Sequence, residues 1–127
     1  MITLMLLSAL AFQAAPASQN ADFAKWWAQF QAAVAKGDFD AVAQGMMFPL
    51  DWENGAIREI KTAADLKFRF NSYFTAEIKK MIATKRPERL PTGFYIITWK
   101  ARRYQYSILF KPQGNTFALD SLSEGPP

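Results

Sequence analysis

The sequence predicts an α+β fold in which a two-helix hairpin and one long helix pack on a curved, mainly antiparallel sheet. Three observations carry this expectation. Phe23, Trp26, Trp27, Phe30 and Val34 recur at the spacing of one helical face. Leu66, Phe70, Phe74, Ile78 and Ile82 recur four apart. From Phe94 onward the chain breaks into three apolar-rich runs separated by turn residues. Helices that come early and strands that come late bury their apolar sides most simply as two layers. With 127 residues, half of them hydrophobic, the chain has enough apolar material for one core.

The first segment is expected to lie outside that core. Residues 1–21 carry no charged side chain, and Ile2 to Phe12 is an almost continuous apolar run. It is shorter than the roughly 20 residues of a membrane-spanning helix and matches the core of a signal peptide. Ala15-Pro16-Ala17 supplies a small-x-small cleavage pattern, so residues 1–17 read as a leader removed on export to the periplasm or the exterior. The domain is expected over residues 18–124, followed by a disordered tail over residues 125–127.

In the domain, Asn20 or Asp22 is placed to cap the first helix, and Gly37 to stop it. Asp38 then caps a short second helix with Phe39, Val42, Ala43 and Met46 inward. Phe48, Leu50 and Trp52 alternate with Pro49 and Asp51, the period of a strand. Pro49 cannot donate to a ladder, so this strand is expected at an edge or with the proline turned outward. Asn54-Gly55 tolerates positive φ at both positions and predicts a tight hairpin, with the return strand over residues 56–60. Thr62-Ala63-Ala64-Asp65 has the form of a capping box and opens a long helix to about Lys85, ended by Pro87 and Pro91. Strands are expected over residues 94–100, 104–111 and 116–122, as an antiparallel meander.

This element order resembles the nuclear transport factor 2-like (cystatin-like) superfamily. The resemblance is carried by Phe-Trp-Trp in the first helix, Gly37-Asp38 opening the second, Phe48-Pro49-Leu50 in the first strand, Tyr73-Phe74-Thr75, and the late meander. It is closest to small exported bacterial members with no assigned reaction. It implies a cone formed by a bent sheet against three helices, open at one end to an apolar ligand. The wall would draw on Trp26, Trp27, Phe30, Phe48, Trp52, Phe70, Tyr73, Phe74, Tyr95 and Trp99, residues that serve equally to fill a core. Many members pair through the outer sheet face. Phe94 and Ile96 on one side of a strand, with Tyr95, Ile97 and Trp99 on the other, fit a homodimer of that kind.

Composition narrows the chemistry. There is no cysteine and no histidine, which excludes disulfides, thiolate chemistry and histidine-based catalysis or zinc binding. No P-loop, nucleophile elbow or dinucleotide glycine pattern is present. No cofactor, metal or catalytic residue is assigned. Asp38 and Asp40 offer oxygens to a hard cation, but Asp38 suits a helix cap better. Catalytic relatives of isomerase or dehydratase type leave one alternative, a buried carboxylate (Asp51 or Glu53) acting with Tyr73, Tyr95 or Tyr106. Both carboxylates alternate with Trp52 and so are expected to face water.

Charge is unevenly distributed. Residues 18–60 hold three basic and six acidic side chains, whereas residues 61–111 hold twelve and three. The densest stretch carries Lys79, Lys80, Lys85, Arg86, Arg89, Lys100, Arg102 and Arg103 against Glu88. If the long helix ends beside the strand tips, these form one basic rim suited to an anionic lipid surface or an acidic protein. No nucleic-acid motif accompanies it. The expectation is an exported, non-enzymatic binding module, holding an apolar small molecule in the cone or an acidic partner on the rim.

Overall fold

The first helix, α1, is described over residues 20–36 and buries the side of its face predicted for the core: Phe23, Trp27, Phe30, Ala33 and Val34. The computed structural model describes residues 20–126; the expected leader and Pro127 lie outside the described residues. Asn20 is already helical, so neither it nor Asp22 is the cap. Gly37, at φ 68°, ends α1 in the left-handed region that glycine enters without a Cβ penalty. Asp38 accepts from the Ala41 N–H and starts α2 (Phe39–Gln44). Val42 is buried, but Phe39 is 40% exposed and covers Phe70 only from the side.

The chain then enters β1 (Leu50–Asn54) and returns through Gly55, at φ 63°, as β2 (Ile57–Ile60). Three helices follow, α3 (Ala63–Phe68), α4 (Phe70–Tyr73) and α5 (Ala76–Thr84). The sheet is completed by β3 (Glu88–Arg89), β4 (Tyr95–Ala101), β5 (Tyr104–Gln113) and β6 (Thr116–Gly125). The strand order is β2-β1-β6-β5-β4-β3, antiparallel except where β1 meets β6. The protein is thus an α+β fold on one open, mostly antiparallel sheet, an arrangement consistent with a cone.

Four sequence expectations are corrected. The single long helix is three. Thr62 caps as predicted, accepting from the Asp65 N–H at 3.1 Å, but the helical path breaks at Arg69 and again at Phe74 and Thr75. Two competing bonds explain the second break. The indole of buried Trp52 donates to the Tyr73 carbonyl at 3.0 Å, taking that acceptor from the helix, and the Thr75 hydroxyl caps α5 through the Ile78 N–H. The fourfold stripe from Leu66 to Ile82 is still buried throughout, because each short helix turns the same side inward. Second, of the two places expected for Pro49 the edge is not the one found: β1 is internal, and Pro49, exposed, precedes it, so the ladder loses no donor. Third, the stretch between Pro87 and Pro91, where no strand is expected, forms β3 and is the sheet edge. Fourth, Gly125 pairs with Gln105 as the last residue of β6 rather than opening the tail.

One irregularity sets the core side of β6. Leu119 and Leu122 are both fully buried, yet an odd separation puts two residues on opposite faces of a regular strand. The register shifts between Leu109 and Phe110, where Asp120 is the extra residue on β6, so that Phe110 faces Leu119 and Ile108 faces Leu122. Phe110 then stands edge-on to Trp27 at 5.1 Å and to Trp26 at 5.9 Å.

Gly45 marks the closest approach between α1 and the segment after α2. A Cβ there would lie 2.8 Å from the Phe30 ring and 3.3 Å from the Trp26 indole. Gly45→Ala is expected to lower stability by about 1–3 kcal/mol through overpacking, read as a fall in the urea midpoint with an unchanged slope.

Candidate functional site

The residues expected to wall an open cone pack mainly against one another. Trp27, Phe30, Trp52, Phe70, Tyr73, Phe74, Tyr95 and Trp99 are buried, while Trp26 and Phe48 are half-buried. Phe23 stacks flat on Tyr95 with centroids 3.6 Å apart, Phe70 stacks on Phe74 at 4.9 Å, and Trp99 stacks on Tyr106 at 5.4 Å. Of the expected wall, Trp27 and Tyr95 reach one surface groove, and Trp26 and Phe30 reach another.

The first groove, of about 330 Å³, lies between the start of α1 and the sheet edge. Its floor is Phe23, Trp27 and Tyr95, and its rim carries Arg86 and Arg89. The placement follows from register. Arg89 is directly opposite Tyr95 on the neighbouring strand, and Glu88 is opposite Ile96. Directly opposed residues share a face, so Arg89 joins the aromatic side and Glu88 is turned to the other. Arg86 and Arg89 are exposed and make no ion pair among the described residues. The Tyr95 hydroxyl donates to Asn20 Oδ1 at 2.5 Å, which fixes the ring at the groove wall.

The eight basic residues do not meet on one rim. The start of α5 sits at the β4–β5 turn, where the Glu77 carboxylate accepts from Arg102 at 3.0 and 3.2 Å and from the Trp99 indole at 3.2 Å. The end of α5 leads to β3, beside the start of β4. Helix and strand therefore run in opposite directions. Lys100, Arg102 and Arg103 are separated from Arg86 and Arg89 by most of β4, about 20 Å of strand. Lys79 and Lys80 lie between them on α5, with Lys79 bonded to Asn71 Oδ1 at 2.9 Å. Lys85 follows α5 and is exposed. Arg102 is engaged by Glu77 and by the Tyr106 hydroxyl.

Two of the tyrosines expected to act with a carboxylate, Tyr73 and Tyr106, do meet one, but it is Asp65 and Glu124 rather than Asp51 or Glu53. Asp51 is exposed; Glu53 is half-buried rather than turned to water, and it accepts from the Glu124 N–H at 3.0 Å. Tyr73 donates to Asp65 and accepts from Arg69 at 2.6 Å. Tyr106 donates to Glu124 at 2.8 Å and accepts from Arg102 at 3.1 Å. Asp65 and Glu124 lie eight and eighteen residues from these tyrosines, separations that no motif marks. The hydrogen bond from Tyr73 and the contacts with Arg69 hold Asp65 below the usual carboxylate range. Arg102 does the same to Glu77, and the Tyr106 hydroxyl does so to Glu124. Burial pushes both tyrosines up. These bonds tie α3 to α4 and β5 to β6.

Asp38 caps α2 and Asp40 pairs with Lys67 at 2.9 Å. Among the described residues no three Asp, Glu, His or Cys side chains cluster as metal ligands, and no helix is long and apolar enough to cross a membrane. Fold and surface together define a small single-sheet α+β protein with a filled aromatic core and its open hollows at the surface. Comparison with protein-family models, curated proteins and solved structures found no match.

The depressed carboxylates give the fold a pH dependence. Glu77 and Glu124 have lower pKa values folded than unfolded, so the unfolded chain takes up protons first as pH falls. Their stabilisation is complete above the unfolded value and is lost through the folded one. The urea midpoint is expected to stay level from pH 7 to about 5.5 and to fall below about pH 5. Glu77→Gln with Glu124→Gln should lower the midpoint at pH 7 and flatten the acid slope.

Proposed function

We propose that the chain is an exported binding module of nuclear transport factor 2-like type that takes an amphiphilic anion in the groove between α1 and β3. Export rests on the leader-like run from Ile2 to Phe12 and the Ala15-Pro16-Ala17 site. The superfamily reading rests on element order and on the observed α+β sheet.

One observation carries the ligand class. Two exposed arginines, without carboxylate partners among the described residues, stand at the rim of a groove floored by Phe23, Trp27 and Tyr95. A guanidinium pair suits a carboxylate or phosphate head, to which it donates in a planar fork. The aromatic floor suits the apolar part of the same molecule. This joins in one place the two features expected apart, an apolar ligand and an acidic one, because register brings Arg89 to the Tyr95 side.

Dodecanoate and dodecanol separate head from tail. Binding followed by calorimetry is expected for dodecanoate, weakening as salt rises, and to be at least about tenfold weaker for the alcohol. Arg86→Gln with Arg89→Gln should remove that difference while leaving the thermal midpoint near the parent's, since both side chains are exposed. Equal binding of the two probes, or binding unchanged in the double variant, would overturn the reading.

A further inference from the structure

The opposite flank of α1 carries a second trough of different chemistry. Two adjoining hollows, of about 360 and 390 Å³, share Trp26, Gln29, Thr116 and Phe117. They run from Asp22 and Lys25, near the start of the helix, past Trp26 to Gly45. Each lies within the size range of about 300–1,000 Å³ typical of small-molecule sites.

Three features mark its chemistry. Trp26 is the one ring of the Phe23, Trp26, Trp27, Phe30 row that is not buried, and it lines both hollows. Around it stand exposed uncharged side chains, Gln29, Gln44, Asn115 and Thr116, none bonded to another described side chain or backbone group. The Gly45 end has no charged lining residue at all, and the charges at the far end, Asp22 and Lys25, are of opposite sign.

We infer that this trough is a saccharide site, taking one or two pyranose units of a neutral glycan. Amide and hydroxyl groups both donate and accept, which is what a ring of sugar hydroxyls requires. A lone anion or cation finds no compensating charge at the Gly45 end, and an acyl chain would strip water from four polar side chains without replacing their bonds. A pyranose supplies an apolar C–H face for the half-buried Trp26 indole, and hydroxyls at its edge for the amides. Gly45 is part of the device. With no side chain there, Phe30 and Trp26 come up to the trough, and a methyl group would push into both rings. Trp26 thus serves the site by the part it leaves uncovered, while the buried Phe30, stacked on it at 5.0 Å, backs it from the core.

The site is independent of the arginine groove. Asn20, Phe23, Ala24 and Trp27 face that groove, whereas Asp22, Lys25, Trp26 and Gln29 face the trough. These are different rows of the same helix.

Nitrogen–proton correlation spectra of the protein, titrated with maltose, cellobiose and diacetylchitobiose up to about 20 mM, test the inference, since single-site sugar affinities in the range of about 0.1–10 mM would be read there. At least one disaccharide is expected to shift the Trp26 indole signal, the Gln29 and Gln44 side-chain amides and the Gly45 and Thr116 backbone amides. Glycerol at the same concentration should not. Gln29→Ala with Gln44→Ala, both at exposed positions, should weaken the response at least about tenfold. Prior saturation with dodecanoate should leave it unchanged. No shift with any disaccharide, equal shifts with glycerol, shifts centred on Arg86 and Arg89, or an undiminished response in the double variant would each overturn it.

Discussion

The fold depends on how one phenylalanine meets one helix. Phe110 is fully buried on β5, and its ring stands edge-on to Phe23, Trp26, Trp27 and Phe30, at 5.1 to 6.4 Å between centroids. Edge-to-face pairs of this kind add about 0.5–1.5 kcal/mol each beyond the area they bury. Their greater effect is directional. Four rings over two turns of α1 converge on one point of the sheet, so the helix has one rotation and one height at which all are satisfied. Phe110 is at that point because it continues the buried alternation of Tyr106 and Ile108 on β5, and the β5–β6 register slip beside it brings Leu119 and Leu122 to the same side. A regular pairing would turn either Leu119 or Leu122 out to solvent.

Much of this was legible in the residues. Helical spacing from Phe23 to Val34, the glycine at 37 and the Thr62 cap are local signals, and local structure obeyed them; the hairpin expected at Asn54-Gly55 forms one residue later, on Gly55 and Ala56. The failures have one cause. The break after Tyr73 depends on an indole donor from Trp52, twenty-one residues away, and a stripe four apart cannot register a carbonyl being withdrawn. The bulge depends on a neighbouring strand. The edge strand Glu88–Arg89 is too short to carry a period of its own. The aromatic set was identifiable as a set, but whether its members close on one another or leave a hollow is decided by ring angles, as in the flat contact of Phe23 with Tyr95.

Charge shows the same limit. The basic run from Lys79 to Arg103 is continuous in sequence, but α5 and β4 run in opposite directions, so it is folded into two ends. At one end Arg102 is consumed in a chain of bonds from Glu77 through Tyr106 to Glu124, which links α5, the β4–β5 turn and the end of β6. Arg102 accepts a positive φ of 58° there, a conformation a non-glycine residue holds only when its surroundings compensate. At the other end, register parts Arg89 from Glu88 and leaves the arginines unpaired. Equal charge thus has unequal use: bracing at the turn, and open valence at the edge.

The seating of α1 explains why the surface hollows flank that helix. Four rings drawn to Phe110 seat the central face of α1 on the sheet, with Trp26 lining the hollow on one flank and Trp27 the groove on the other. On the Trp27 side the nearest chain is a two-residue strand bearing arginine; on the Trp26 side it is Gly45 and the β5–β6 turn, bearing amides and a hydroxyl. Trp26 and Gly45 line the same hollow, so a larger residue at 45 would intrude on the Trp26 side alone. The core packing that stabilises the protein is therefore the same arrangement that keeps both flanks open, and the chemistry of each flank is set by which stretch of chain the sheet brings beside it.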